Sequence, residues 1–153
     1  MDELMKSTEF DTTQYIIVTI GEEMFGIDIN FIDNIVRMQN ITRVPKVAKY
    51  LKGVINLRGE VIPVMSLRLK MDLPDDEYTN KTRIIILKLE QHEPIGLVVD
   101  SVREVVNLDS EHIEKANYDK GDKGGYLMAI GKHEGKLISL LDLNAVIADK
   151  ENV

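Results

Sequence analysis

Hydrophobic residues in this chain of 153 residues occur in short runs rich in valine and isoleucine, separated by polar turns. Such runs predict β-strands over 14–20 and 24–29, with a turn at Gly21 between them. Residues 51–68 (LKGVINLRGEVIPVMSLR) predict a β-hairpin, because two apolar runs flank a polar turn that ends at Gly59. Glycine supplies the positive φ that a tight turn requires. The pattern therefore favours a mainly β fold organised around this hairpin.

A few segments have helical spacing instead. Apolar residues at 31, 32, 35 and 36 predict a short helix, and residues 67–71 predict a single helical turn. A short C-terminal helix is expected after Asp142, because aspartate is a favourable N-cap residue. Residues 72–81 are polar and form the best internal boundary.

The second half of the chain repeats the first. Residues 83–106 lie over residues 13–36 without a gap at a constant shift of 70, with Ile85 over Tyr15 and Gly96 over Gly26, and residues 135–140 lie over residues 59–64. The repeat predicts two tandem five-stranded β-barrels, one over 14–80 and one over 81–150, and leaves open whether they exchange strands. Because a unit of about 70 residues buries little core alone, the two should pack together through an apolar face.

Composition narrows the classes of partner. The net charge of −7 and pI of about 5.0 argue against binding to nucleic acid, which needs a basic face. There is no cysteine, so thiolate chemistry and disulfides are excluded. No apolar run approaches the roughly 20 residues of a membrane span, and the polar, acidic N-terminus does not resemble a secretory signal. The sequence predicts no nucleic-acid partner and no direct membrane insertion.

Catalytic motifs are also missing. The three histidines, His92, His112 and His133, do not stand at metal-ligand spacing to one another. The acidic run 75–77 lacks the alternation of a calcium loop and is interpreted as a solvated linker. The glycine-rich run 121–125 fits neither the Walker nor the dinucleotide-binding pattern. We therefore expect a binding module that is not an enzyme and that uses no cofactor and no metal.

Several motifs resemble those of the CheW-like family of chemotaxis coupling proteins. The central string GVINLRG over 53–59, followed by Ile62-Pro63-Val64, is similar to the family signature. The strings FGIDI over 25–29, ITRVP over 41–45 and GLVVD over 96–100 extend the resemblance. Together they cover about residues 14–148, which is nearly the whole chain.

The resemblance implies two SH3-like barrels in tandem that together form one CheW-like domain. It implies a non-enzymatic, cytoplasmic scaffold, recruited to receptor arrays at the membrane. Such a scaffold links the cytoplasmic tips of chemoreceptors to the regulatory domain of the histidine kinase CheA, so that receptor state controls kinase activity and flagellar motility. The alternative is a β-barrel module that binds a small ligand or assists an enzyme.

The resemblance also implies three groups of partner-binding residues. The first forms the family hairpin, whose arginine is important for coupling. The second lies near the receptor-binding groove and on its opposite wall, and the third lies in the part of the second barrel that meets the kinase domain in ring assemblies. In that order they are Asn56, Arg58 and Gly59; Ile27, Ile29, Ile32, Val98 and Val99; and Tyr118 and Asp122 within residues 118–125.

Two departures from the family pattern affect these expectations. Asn34 stands where many members carry an acidic residue that could pair with the hairpin arginine, and Ser66 stands where many carry aspartate. Arg58 therefore has two interpretations: it contacts a partner, or it braces the fold near Asn34 and Asp33. The apolar groove residues have an alternative too, because alternating apolar residues in strands are commonly core.

Overall fold

The computed structural model describes residues 12–115 and 124–148. Short strands account for most of them, as the apolar runs predict. In chain order they are β1 (Thr13–Ile20), β2 (Glu23–Asp28), β3 (Ile32–Arg37), β4 (Leu51–Leu57), β5 (Glu60–Ser66), β6 (Arg83–Leu87), β7 (Ile95–Val99), β8 (Ser101–Leu108), β9 (Ile113–Lys115), β10 (Leu127–His133) and β11 (Lys136–Leu141).

These strands form two sheets, which we call barrel A and barrel B. Barrel A has the order β8-β1-β2-β11-β10-β9, and barrel B has the order β3-β6-β7-β5-β4. Barrel A thus combines two strands of the first half of the sequence, β1 and β2, with four of the second half, β8 to β11. Barrel B combines two strands of the second half, β6 and β7, with three of the first half, β3 to β5. The short strand β9 is the addition in barrel A to the five strands expected of each barrel. The boundary drawn at residue 80 consequently does not separate the sheets, because strand exchange joins each half to both barrels.

The pairing register confirms the internal repeat. Ile16 pairs with Val105 in barrel A, and its counterpart Ile85 pairs with Ile35 in barrel B. Ile85 therefore corresponds to Ile16 and not to Tyr15, so the alignment without a gap was wrong by one residue in the first strand. The connection between β6 and β7 is longer than that between β1 and β2, and it absorbs the difference.

The two hairpins also occupy equivalent places. Ile55 pairs with Ile62 in the β4–β5 hairpin, and Gly131 pairs with Ile138 in the β10–β11 hairpin, at the same offset along the chain. Each hairpin has one bulge at the same position, next to Leu51 in barrel B and Leu127 in barrel A. The repeat therefore extends to the irregularities of the backbone.

Three apolar cores explain why the strands carry unbroken hydrophobic runs. In β1, Tyr15 and Ile17 point into barrel A, whereas Ile16 and Val18 point into a core shared by both barrels. The counterpart β6 alternates in the same way between the shared core and the interior of barrel B. Strands that are buried on both faces lose the alternation of apolar and polar residues. The shared core confirms the apolar face expected between the barrels.

Two α-helices follow the hairpins, α1 (Leu67–Lys70) and α2 (Leu143–Ile147). Their N-caps are Ser66, whose Oγ accepts a hydrogen bond from Leu69 N at 3.1 Å, and Asp142, whose Oδ1 accepts one from Ala145 N at 3.3 Å. The expected C-terminal helix is therefore confirmed. The helix expected over 31–36 is wrong: a 3₁₀ turn (Ile29–Phe31) leads into β3, because pairing with β6 outweighs the local spacing.

Candidate functional site

The tip of the β4–β5 hairpin presents Arg58 on a rigid turn. Arg58 and Gly59 form the two-residue loop with φ of 55° and 85°, which is the backbone of a type I′ turn. Asn56 Oδ1 accepts a hydrogen bond from Gly59 N at 3.0 Å and so fixes the loop further. Asn56, Arg58 and Gly59 are all exposed. The turn therefore displays a guanidinium on an ordered backbone.

The Arg58 side chain makes no hydrogen bond or ion pair with any of the residues that the structure describes. The side chain of Asn34 is hydrogen-bonded to the adjacent backbone instead, since its Oδ1 accepts a hydrogen bond from Ile35 N at 2.8 Å. Neither Asn34 nor Asp33 braces the guanidinium. Of the two interpretations of Arg58, the geometry favours the one in which its donors are available to a partner.

The apolar residues expected to line a partner groove divide into two sets. Ile27 and Val99 are fully buried in the shared core, and Val98 is fully buried inside barrel B. These three expectations need correction, because side chains without exposed surface cannot contact a partner in this structure. Ile29 and Ile32 are partly buried and pack against the shared core, so only part of each side chain is available.

A groove near Ile29 and Ile32 is exposed, and we call it the open groove. It has a volume of about 260 Å³ and is bordered by strands of barrel A, the 3₁₀ turn before β3, the connection after β6 and the start of α2. Phe31, 36% exposed, and Met128, 51% exposed, are the large apolar side chains available at its mouth. The complete lining is Tyr15, Asp28, Phe31, Leu89, Met128, Leu141, Asp142, Leu143 and Asn144.

An ion pair, which we call the latch, joins the barrels at another place. Arg68 donates from Nε and Nη2 to the two carboxylate oxygens of Asp100, at 2.9 and 2.6 Å. Asp100 Oδ2 also accepts a hydrogen bond from Gly21 N at 2.7 Å. The latch thereby ties α1 to the β1–β2 turn and to the crossover between β7 and β8. Burial acts to raise the pKa of Asp100, but the hydrogen bonds from Arg68 and Gly21 outweigh it and lower that pKa.

The repeat relates the latch to the open groove. The counterpart of Arg68 is Asn144 and the counterpart of Asp100 is Asn30, and these two asparagines form no hydrogen bond with each other in the described part of the chain. Asn144 lines the open groove, and Phe31, which follows Asn30, stands at its mouth. One end of the pseudo-symmetric pair of barrels is therefore closed by an ion pair, and the other end is left open and apolar.

The acidic run 75–77 differs from a solvated linker. The Asp76 side chain is only 3% exposed, its Oδ2 accepts a hydrogen bond from Ser66 Oγ, and its Oδ1 has no partner. Burial raises the pKa of Asp76. Lys52 Nζ pairs at 2.6 Å with the neighbouring, exposed Asp75. The run thus anchors the 72–81 connection onto Ser66 at the end of β5.

Part of the expected kinase-contacting region cannot be placed, because Tyr118 and Asp122 lie outside the described residues. Within residues 12–115 and 124–148, no three acidic or histidine side chains converge as metal ligands would. No helix in that same portion is long and apolar enough to cross a bilayer.

Comparison with known proteins identifies the relatives of this architecture. The family model of the CheW-like domain matches residues 14–151. The chain belongs to the CheW-like family. It is 37% identical over 138 residues to the chemotaxis protein CheW of Bacillus subtilis, covering 90% of this chain and 87% of that protein. It is 31% identical to CheW of Klebsiella aerogenes, covering 90% and 83%.

A solved structure confirms the fold. The scaffolding protein TtCheW of Thermoanaerobacter tengcongensis matches with a TM-score of 0.83 at 28% identity, covering 90% of this chain and 94% of that one. The chain therefore has the mainly β fold of two SH3-like barrels and is a chemotaxis coupling adaptor of the CheW-like family.

Sequence reasoning missed the residues that distinguish the two ends. Arg68 and Asp100 belong to the motifs over 51–68 and 96–100, but neither motif predicts that the two side chains pair. No motif in the sequence points to Asn30 or Asn144. Aligning the repeats and comparing charges at counterpart positions would have exposed the asymmetry, because one pair of positions holds opposite charges and the other holds two neutral amides. Phe31 was assigned to a helix and not to the groove.

Proposed function

We propose that this adaptor links chemoreceptor tips to the regulatory domain of the histidine kinase CheA, without catalysing a reaction itself. It works in the cytoplasm at receptor arrays, and receptor state reaches the kinase and flagellar motility through it. Family membership supports this assignment, as do the exposed hairpin and the unlatched groove. The observation that carries it is the apolar open groove at the end of the molecule that lacks the Arg68–Asp100 latch.

The open groove is the proposed receptor site. A helical receptor tip would lay apolar side chains against Phe31 and Met128, in the manner of a helix in a groove. Ile29 and Ile32, which are partly exposed, lie on either side of Phe31 in the chain and pack against the shared core. The groove is open and, at about 260 Å³, below the range of roughly 300–1,000 Å³ typical of small-molecule sites. Its size favours the adaptor over the small-ligand alternative.

The hairpin tip is proposed as a second contact. Arg58 has five guanidinium donors and no partner among the described residues, and arginine is favoured at interface hot spots. Asn56 and Gly59 contribute indirectly, because they hold the turn that presents Arg58. A carboxylate on the kinase domain or on the receptor is the group that this guanidinium fits.

Replacing Phe31 by glutamate tests the receptor site. The charge would enter an apolar contact, so we expect Phe31→Glu to weaken binding of a receptor-tip fragment about tenfold or more. Titration of the fragment measures the affinity, and circular dichroism checks that the fold is retained. Phe31 suits this test better than Ile32, which packs against the shared core.

Val105→Glu is the matched control. Val105 is an exposed apolar residue in β8 that does not line the open groove. We expect it to leave receptor affinity unchanged. Equal losses of affinity in both variants, or none in Phe31→Glu, would refute the assignment of the receptor to this groove.

A further inference from the structure

A second and much larger groove lies on barrel B, and we call it the basic groove. One wall is the connection between β3 and β4, residues 38–50, and the other is formed by Leu69 in α1 and by the connection that follows α1, as far as Tyr78. Its volume is about 1520 Å³. It shares no lining residue with the open groove. The proposed receptor site therefore does not account for it.

The charge of this groove is opposite to that of the protein. Among the residues that the structure describes, four cations line it, namely Arg43, Lys46, Lys49 and Lys52, and Asp75 is the one carboxylate. Lys52 is occupied by Asp75, but the side chains of Arg43, Lys46 and Lys49 are exposed and form no ion pair within the described chain. Three free cations within seven positions of a chain whose net charge is −7 form a local positive surface.

Apolar side chains accompany the cations. Val44 and Val47 are exposed on the same connection, at 40% and 41%. Beneath them, Leu51, Leu69 and Leu73 pack against the shared core and form the floor. The groove therefore offers an apolar floor with a cationic rim, which matches a ligand that is apolar on one side and acidic on the other.

The form of the occupant follows from the size of the groove and its strand edge. The volume exceeds the roughly 1,000 Å³ upper range of small-molecule pockets, so the groove suits a polypeptide segment. Strand addition at the middle of β4 is blocked, because Thr42 exchanges two backbone hydrogen bonds of 2.8 Å with Val54 on that edge. Recognition must then use side chains, as it does when a helix lies in a groove.

We propose that the basic groove binds an acidic amphipathic helix of a protein partner, with its apolar face on Val44 and Val47 and its carboxylates on Arg43, Lys46 and Lys49. An anionic membrane surface is the competing occupant for a basic, apolar connection. The net charge of −7 disfavours that occupant, because the rest of the protein would be repelled by an extended negative surface. A short acidic helix meets only the local positive charge.

The probe for the test is a synthetic peptide of about 18 residues, long enough for a helix of about 27 Å. It carries leucine on one helical face and glutamate with glutamine on the other, and a companion peptide has lysine in place of glutamate. Fluorescence anisotropy should show binding of the acidic peptide that weakens with rising salt, and at least about tenfold weaker binding of the lysine peptide. Amide resonances of residues 38–52 and 69–78 should shift on addition of the acidic peptide.

Charge reversal localises the site. In the variant with Arg43→Glu, Lys46→Glu and Lys49→Glu, affinity for the acidic peptide should fall at least about tenfold. The matched control reverses three exposed cations outside the groove, Lys88→Glu, Arg103→Glu and Lys136→Glu, and gives the same net charge. It should retain most of the affinity, because only distant charge has changed.

Three results would overturn the proposal. Equal losses in the two triple variants would show that net charge alone governs binding. Equal affinity for the acidic and lysine peptides would show that the cations take no part. Sedimentation with vesicles containing phosphatidylserine, abolished by the first triple variant and accompanied by no peptide binding, would assign the groove to a membrane surface instead.

Discussion

The two ends of the paired barrels have the same backbone and opposite surfaces. At the latched end, Arg68 and Asp100 form a bidentate ion pair whose side chains are 19% and 27% exposed. At the open end, Asn144 and Asn30 occupy the counterpart positions and leave the groove around Phe31 uncovered. Apart from β9, a sixth strand that only barrel A has among the described residues, strand order, register and bulges agree between the barrels, so the backbone around these positions does not account for the difference. Four side chains decide which end is closed.

The asymmetry shows how a duplicated fold can have an open groove at only one of its two equivalent ends. Two identical ends would offer two equivalent grooves or two closed surfaces. Closing one end with a charged hydrogen-bonded pair stabilises the contact between the barrels and leaves one apolar groove for a partner. An adaptor whose partners dock at defined places needs such asymmetry.

The largest effect on stability is expected at a hairpin position where a glycine in barrel B has a non-glycine counterpart in barrel A. Gly53 in β4 has a φ of 145°, and a Cβ there would lie 2.1 Å from the carbonyl oxygen of Thr42. Its counterpart is Ala129 in β10, which accommodates a side chain. We expect Gly53→Ala to lower the free energy of unfolding by about 3 kcal/mol, because backbone atoms must move. Urea denaturation measures the loss.

Ala129→Gly is the reciprocal change. It should cost only about 1 kcal/mol, mainly through added freedom of the unfolded backbone. Similar costs for the two substitutions would contradict the claim that the Thr42–Val54 bridge crowds Gly53.

The second effect concerns the latched end. Asp100→Asn removes the charge from the pair with Arg68 while keeping an acceptor, so we expect a loss of about 2 kcal/mol in the free energy of unfolding at pH 7. The exposed Asp72, which has no side-chain hydrogen bond within the described chain, provides the matched change Asp72→Asn with little expected effect.

The pH dependence of this loss is fixed by the lowered pKa of Asp100. Because the folded pKa is below the unfolded value of about 3.9, the carboxylate stabilises the fold above that value and loses this contribution as pH falls through the folded pKa. Asp76 contributes to the pH dependence of stability with the opposite sign. Because its folded pKa is raised, ionisation of its carboxylate destabilises the folded state as pH rises above the unfolded value. The difference between wild type and Asp100→Asn should therefore shrink toward pH 2. A difference that is constant with pH would contradict an electrostatic latch.

The third effect comes from building a latch at the open end. The double substitution Asn30→Asp with Asn144→Arg copies the charged pair onto the counterpart positions. We expect receptor-tip affinity to fall about tenfold, equivalent to about 1.4 kcal/mol, because an ion pair would cover the open groove. Titration of the receptor fragment measures the change.

Gln14→Arg with Asn107→Asp is the control for the built latch. These residues face each other across β1 and β8 and do not line the groove. The control should leave the affinity unchanged. Full receptor binding by the variant with the built latch would show that the open groove is not the receptor site.

The smallest effects on stability are expected at the hairpin tips. Both tips are two-residue turns with positive φ, Arg58-Gly59 in barrel B and Glu134-Gly135 in barrel A, but their charges are opposite. Arg58→Ala and Glu134→Ala should each change the free energy of unfolding by less than about 0.5 kcal/mol, because both side chains are exposed.

The two hairpin tips should differ in their effect on kinase activation. Arg58→Ala should reduce kinase activation in a mixture of receptor, kinase and adaptor, by an amount that corresponds to the loss of a charged hydrogen bond, about 1–3 kcal/mol. Glu134→Ala serves as the comparison and should activate the kinase normally. Normal activation by Arg58→Ala would exclude the hairpin tip from coupling.

The sequence by itself determined the local features of this protein. The apolar runs placed the strands, Gly59 and Gly135 placed the hairpin turns, and Asp142 placed the start of the last helix. These features depend on backbone geometry and hydrogen bonds between near neighbours, so the residues involved carry the signal themselves. The repeat and the central motif then gave two barrels and the resemblance to the family.

Only the tertiary structure decided which strands share a barrel and which side chains meet. Ile27, Val98 and Val99 alternate as groove or core residues would, and burial between packed sheets placed them in the core. Residues 31–36 have helical spacing, yet pairing of β3 with β6 made most of them a strand. Arg68 and Asp100 are 32 residues apart and were brought together by the exchange of strands between the barrels. Contacts of this kind depend on long-range packing, which no short segment of sequence encodes.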